Sequence, residues 1–135
     1  MHKIIRRISK IVLTVCSLIL LYVAICFGKF FYNEQHTSVV DVLEGKNVDN
    51  LTILYRPDCS RCQKILPWLI LREGLVLDDV KIVNAQKLSK DQQKGLGVEV
   101  LPTFVYRGQA LNTMDHQEIL DLIYKVRSDK AKKQF

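Results

Sequence analysis

The chain changes texture along its length. Four basic residues, Lys3, Arg6, Arg7 and Lys10, precede an uncharged apolar run over residues 11–28. From residue 37 onward the pattern breaks into short apolar segments separated by polar turns. The first run has no polar face. As a helix, at 1.5 Å per residue, it would span about 27 Å, close to the hydrocarbon thickness of a bilayer. Lys29 ends it, and Phe30, Phe31 and Tyr32 suit a membrane interface. The basic start predicts that the N-terminus stays in the cytoplasm and that everything after Lys29 lies outside. The expected layout is a cytoplasmic stretch 1–10, a transmembrane signal anchor 11–28, a spacer 29–36 without clear structure, a folded domain 37–127 and a basic tail 128–135. A cleaved signal peptide also fits the basic start, but the apolar run is long for one, and Ala24-Ile25-Cys26 is followed by bulky aromatics. Ile25 argues against Cys26 as a lipid-bearing cysteine, and the missing polar face argues against a core helix.

In the second part, Thr37 to Glu44 reads as a short helix with Gly45 as its stop. Leu51 to Tyr55 is a buried strand, and Asn50-Leu51-Thr52 matches a glycosylation sequon discounted for that reason. A turn at Arg56-Pro57-Asp58 leads into a helix from about Cys59 to Glu73, closed by Gly74 and apolar on most sides, with Trp68 expected in the core. Pro67 removes one of its internal bonds and should kink it. Val80 to Val83 is a further strand. Ser89 and Gln92 form a helix-capping pattern, opening a short helix that ends near Gly95 and Gly97. A strand–helix–strand path of this kind is a parallel crossover. Phe104 to Tyr106 is a strand begun by Pro102, where a missing N–H is harmless. Arg107-Gly108-Gln109 turns into an edge strand, Ala110 to Asn112. Asp115 with Glu118 starts a helix whose Ile119, Leu122, Ile123 and Val126 face the sheet. His116 is expected to be a solvated first-turn residue and 127–135 a frayed polar tail.

The candidate chemistry lies at the start of the second helix. Cys59 and Cys62 are three apart, and residues i and i+3 on a helix sit about 5–6 Å apart at Cβ, within the range a disulfide bridges. Unpaired N–H groups and the helix dipole favour an anion at this end. Cys59 should therefore be the low-pKa nucleophile, and Cys62, one turn deeper, the thiol that resolves a mixed disulfide. Arg56, Arg61 and Lys64, against Asp58, are the candidate tuning charges and should favour the thiolate further. A lone Cys-x-x-Cys is also half a zinc site, but there is no second pair and His2, His36 and His116 are scattered, so no metal is expected. Cys16 and Cys26 lie in the apolar run and read as small hydrophobes.

The segment Tyr55-Arg-Pro-Asp-Cys-Ser-Arg-Cys-Gln-Lys64, with Pro67 five residues after Cys62, resembles the active-site helix of the thioredoxin family. Gly97-Val-Glu-Val-Leu-Pro-Thr-Phe-Val-Tyr-Arg-Gly108 resembles the segment that carries that family's cis-proline, which falls on Pro102. The likeness covers roughly residues 37–127. It implies an α/β thioredoxin-like fold, a mixed central sheet flanked by helices, and a substrate groove shaped by Leu101 and Pro102, where a client chain pairs as an added strand. Three positions depart from the family: the dipeptide Ser60-Arg61, Ile53 in place of a buried acid six residues before Cys59, and Asp58 in place of an aromatic.

Charge adds little. The four N-terminal basic residues account for most of the net charge of +6, and no basic stripe interleaved with aromatics suggests nucleic acid. The expectation is an anchored monomer exchanging disulfides with extracytoplasmic proteins, with no bound cofactor and with a redox partner that the chain does not name. The alternative is a thioredoxin-like accessory or adaptor, of the kind that accompanies bacteriocin export, in which binding a client matters as much as turnover.

Overall fold

The computed structural model describes residues 1–44, 49–74 and 80–135; Gly45 lies outside them. Helix α1 runs unbroken over His2–His36. Its residues 1–22 are exposed on every side, and it is long and apolar enough to cross a membrane. Further on the same helix enters the folded part. Cys26 is 0% and Phe30 6% exposed, and both belong to the main core. Residues 29–36, expected as a spacer without clear structure, are therefore helical. The physical reason is tertiary, since packing rather than propensity supplies most helix stability in proteins. Phe30 packs edge-on to the Tyr55 ring at 5.4 Å. Glu34 accepts the Tyr55 hydroxyl at 2.7 Å.

After α2 (Val39–Leu43) come β1 (Thr52–Tyr55), α3 (Ser60–Glu73), β2 (Lys81–Asn84), a single 3-10 turn (Ala85–Lys87), α4 (Lys90–Gly95), β3 (Thr103–Tyr106), β4 (Gln109–Leu111) and α5 (His116–Gln134). The strands form one mixed sheet in the order β2-β1-β3-β4. β1 pairs parallel with β2, Ile53 opposite Ile82. β3 runs antiparallel to β1, Phe104 opposite Ile53, and β4 antiparallel to β3. The molecule is thus an α/β protein with a four-stranded sheet flanked by helices, preceded by a long apolar helix.

Alternation along the strands divides the core into two layers. Ile53, Ile82, Phe104 and Tyr106 meet Ile65, Leu69, Ile119 and Ile123 from α3 and α5, together with the end of α1. Leu54 and Val83 meet Leu88, Val39 and Val42 on the opposite face. β1 has neighbours on both edges and all four of its residues are buried. Arg107 and Gly108 both have positive φ, 49° and 76°, as two-residue hairpin turns require. Ser89 and Gln92 form the reciprocal capping box at α4. Asp115 caps α5 by accepting from the N–H groups of Gln117 and Glu118.

The expected frayed tail is also helical, to Gln134. Asp129 accepts the Tyr106 hydroxyl at 3.0 Å, and Lys133 forms an ion pair with Asp49, so contacts far away in sequence hold the last turns.

Candidate functional site

The chain turns sharply between β1 and α3. The Cys59 N–H bonds the Arg56 carbonyl at 3.2 Å, and the Gln63 side chain reaches back to the Pro57 carbonyl at 2.8 Å. Cys59 has extended backbone angles and is the N-cap of α3. Its sulfur takes the position that a serine or aspartate oxygen occupies at other helix starts. The Cys62 N–H points at Cys59 Sγ, 3.4 Å away. Cys62 itself is buried, 1% exposed, one turn inside the helix. Both cysteines are free thiols in this structure. α3 continues through Pro67 as helix to Glu73.

Opposite Cys59 lies the segment before β3. The Leu101–Pro102 peptide bond is cis, and Cys59 Sγ stands 3.8 Å from the Leu101 carbonyl oxygen. Pro102 is buried beneath it. The Thr103 hydroxyl lies within hydrogen-bonding reach of the Val100 carbonyl (2.7 Å) and Asn112 Oδ1 (2.6 Å), which ties the segment to the sheet end. In front of Cys59 an open groove of about 410 Å³ runs between Arg56, Asp58 and Arg61 on one side and Val98 to Leu101 on the other. Behind Cys62 a second, apolar cavity of about 220 Å³ separates the end of α1 (Phe27, Phe30, Phe31) from Leu66 and Pro67.

The two thiols titrate in opposite directions. Burial pushes Cys59 up, but the hydrogen bonds it receives from Cys62 and from the Arg61 backbone, together with the Arg61 charge, outweigh that and hold it below the usual thiol range. Burial pushes Cys62 up to about 12, and its hydrogen bond to Cys59 raises it further. This pairing gives one accessible sulfur ready to attack as a thiolate and one shielded sulfur that keeps its proton until needed.

The structure brings Cys59, Cys62, Leu101 and Pro102 together. Of the four charges singled out in the sequence, only Arg61 is among the main influences on Cys59. Arg56 is engaged by Asp58 in a two-pronged pair at 2.9 and 3.1 Å, so the two largely cancel at the groove rim. Lys64 is exposed and stands outside the groove walls. Trp68, expected in the core, is half-buried, and its ring stacks on His116 at 4.0 Å, so His116 is not simply solvated. Gln93, Val98 and Val100 complete the groove; the two valines stand in the segment that carries Pro102, whereas no local sequence signal marks Gln93. Glu34 and Tyr55 stand behind the pair, and burial and the bond to Glu34 raise the Tyr55 phenol. A contact spanning 21 residues leaves no local trace in sequence. Among the described residues no group of three His, Cys, Asp or Glu side chains comes together as a metal site.

Compared with known proteins, the chain matches no family model and no curated sequence.

Proposed function

We propose that this protein is a membrane-anchored, thioredoxin-like thiol–disulfide oxidoreductase acting on extracytoplasmic proteins. The observation that carries the reading is the placement of Cys59: a helix-capping sulfur with lowered pKa, facing a groove, with a buried thiol three residues behind it. In the reducing direction the Cys59 thiolate attacks one sulfur of a client disulfide. That bond breaks, the other client sulfur leaves as thiolate and takes a proton, and a mixed disulfide forms. Cys62 then loses its proton and attacks Cys59 Sγ, forming the Cys59–Cys62 bond and releasing the second client thiol. Two electrons and two protons pass to the client, and the reverse sequence oxidises it. A second dithiol or disulfide partner must restore the starting state.

Leu101 and Pro102 form the wall against which a client backbone would lie, with the Leu101 carbonyl facing the attacking sulfur. The long apolar helix supports the anchor, and the basic residues before it support a cytoplasmic N-terminus. Thiolate stabilisation at Cys59 favours the reduced form and so makes the disulfide the more oxidising.

The test equilibrates the full-length chain in detergent with a glutathione series and scores the Cys59–Cys62 bond by mass spectrometry. A reversible couple is expected. A potential near roughly −120 mV assigns disulfide donation, and one near roughly −270 mV assigns reduction. Absence of a reversible couple, with Cys59→Ser leaving the cellular phenotype intact, would overturn the enzyme reading in favour of an adaptor.

A further inference from the structure

The wall that faces Cys59 is a short irregular segment. Val98 to Leu101 lie between α4 and β3, and the Leu101 carbonyl stands 3.8 Å from Cys59 Sγ. In an extended chain the N–H and C=O of one residue face one side and those of the next residue face the other. A Val100 carbonyl turned into the protein therefore turns the backbone groups of Leu101 toward the groove. The structure shows that arrangement. The Val100 carbonyl accepts from the Thr103 hydroxyl at 2.7 Å, and Thr103 is fully buried. Among the described residues Leu101 makes no backbone–backbone hydrogen bond, so its N–H and carbonyl stay open to another chain.

Thr103 alone does not secure this. A hydroxyl rotates, carries one proton and gives it to any acceptor in reach. Asn112, the residue after β4, brings its side-chain amide to 2.6 Å from the same oxygen. If the amide presents its oxygen, it competes with Val100 for the single proton. If it presents its NH2, it donates to Thr103 Oγ1, and the threonine proton is left to the Val100 carbonyl. Only the second orientation satisfies all three groups at once. Asn112 itself is exposed and stands outside the walls of the groove.

We propose that Asn112 is a positioning residue for protein clients. Its amide donates to Thr103, Thr103 holds the Val100 carbonyl inward, and the N–H and carbonyl of Leu101 are thereby kept in line for a client backbone. The inference rests on the reading of Cys59 and Cys62 as a disulfide-exchange pair. No step of the electron transfer passes through Asn112. Its influence is confined to substrates that have a backbone to pair, because a small disulfide needs only the sulfur of Cys59. Main-chain pairing gives affinity whatever side chains the client carries, so the dependence on Asn112 extends to clients of any sequence.

The test compares two substrates of the full-length chain in detergent. One is hydroxyethyl disulfide, which has no backbone. The other is an unstructured peptide whose single cysteine is joined to glutathione. Asn112→Ala should lower the rate constant of exchange with the peptide on the order of tenfold, the loss of one or two net hydrogen bonds. The rate with hydroxyethyl disulfide and the pH midpoint of Cys59 alkylation should not move. Asn112→Asp, which has no amide proton to give, should lose as much, whereas Thr103→Ser, which keeps the hydroxyl, should retain the peptide rate. Unchanged peptide exchange in Asn112→Ala, or full peptide exchange in Asn112→Asp, would overturn the proposal. So would an equal loss with both substrates or a displaced Cys59 midpoint, since either marks a general distortion of the site. A wild-type chain that exchanges with neither substrate would overturn the disulfide-exchange reading, and the positioning role with it.

Discussion

The two ends of the domain are built in different ways. At the active end most contacts are local: Cys62 N–H to Cys59 Sγ spans three residues, Arg56 to Asp58 two, and Thr103 to Val100 three, and only the approach of Cys59 to the Leu101 carbonyl spans 42. At the opposite end, the base, where α3 finishes, β1 begins and β3 turns into β4, they are remote. Arg127 meets Glu73 across 54 residues, Arg107 meets Asp49 across 58 and Lys133 meets Asp49 across 84. The cysteine side of the active end is a short motif that its own helix start pre-organises, and the sheet brings Leu101 and Pro102 up to it. The base is an assembly of α1, α3, α5 and the hairpin, and it exists only once the whole chain has folded. Chemistry should therefore fail through single substitutions at one end, and stability at the other.

The largest effect expected is at the active end. Cys62→Ser should stop turnover, because nothing remains to break the mixed disulfide. Clients should then accumulate on Cys59 as adducts visible on non-reducing gels, while the thermal midpoint changes little. The matching change in the core is Phe30→Ala, at the cavity behind Cys62. Removing a buried aromatic that packs on Tyr55 should cost about 3–5 kcal/mol, read by denaturant unfolding in detergent, with the Cys59 alkylation rate of the folded fraction unchanged. A fragment beginning after Phe30 should be destabilised for the same reason, since Cys26 and Phe30 are part of the core.

Gly74→Ala should follow, at about 1–3 kcal/mol, because the new methyl runs into the Ile70 carbonyl oxygen and then Cys26, where α1 crosses the end of α3. A smaller effect is expected at Arg61. The rate of Cys59 alkylation should rise with pH and level off once the thiol is ionised, with a midpoint below the roughly 8.5 of a free cysteine, because its pKa is lowered. The nucleophile is therefore lost as pH falls through that depressed value, while Cys62 stays protonated until about 12. Arg61→Ala should move the Cys59 midpoint upward without changing stability. Smallest of all, Lys133→Ala should leave unfolding in detergent unchanged within error, since exposed ion pairs seldom contribute measurably.

The same contrast explains what could be read from the sequence. The cysteine spacing, the Asp115 cap, the Ser89–Gln92 box and the Arg107–Gly108 turn are each written in a few adjacent residues, and all appear at the expected places within a residue or so. The apolar run from Leu51 to Tyr55 marks a buried strand for the same reason, and all four residues of β1 are buried. Residues 29–36 were harder. Their aromatics suit an interface and a core equally well, and only the distant Tyr55 decides that Phe30 and Glu34 belong to a helix. The C-terminal tail was misread in the same way, because Lys133 and Asp129 are ordered by partners more than twenty residues away. At the groove rim, net charge alone did not reveal that Arg56 folds back onto Asp58.

The unbroken course of α1 has a mechanical consequence. Tyr22 lies level with the end of α3 and Glu34 level with its start, beside Tyr55, and the twelve residues between them rise about 18 Å. With the apolar run as far as Leu21 in a bilayer, this stretch is a stiff arm without a hinge, and it would fix the height of Cys59 above the lipid. A sulfur carried past at that height meets the thiolate at a high effective concentration, whereas one held much nearer to or farther from the lipid meets almost none. On the proposed function, selection among clients would be made by where a cysteine emerges from the membrane surface, before any side chain in the groove is consulted.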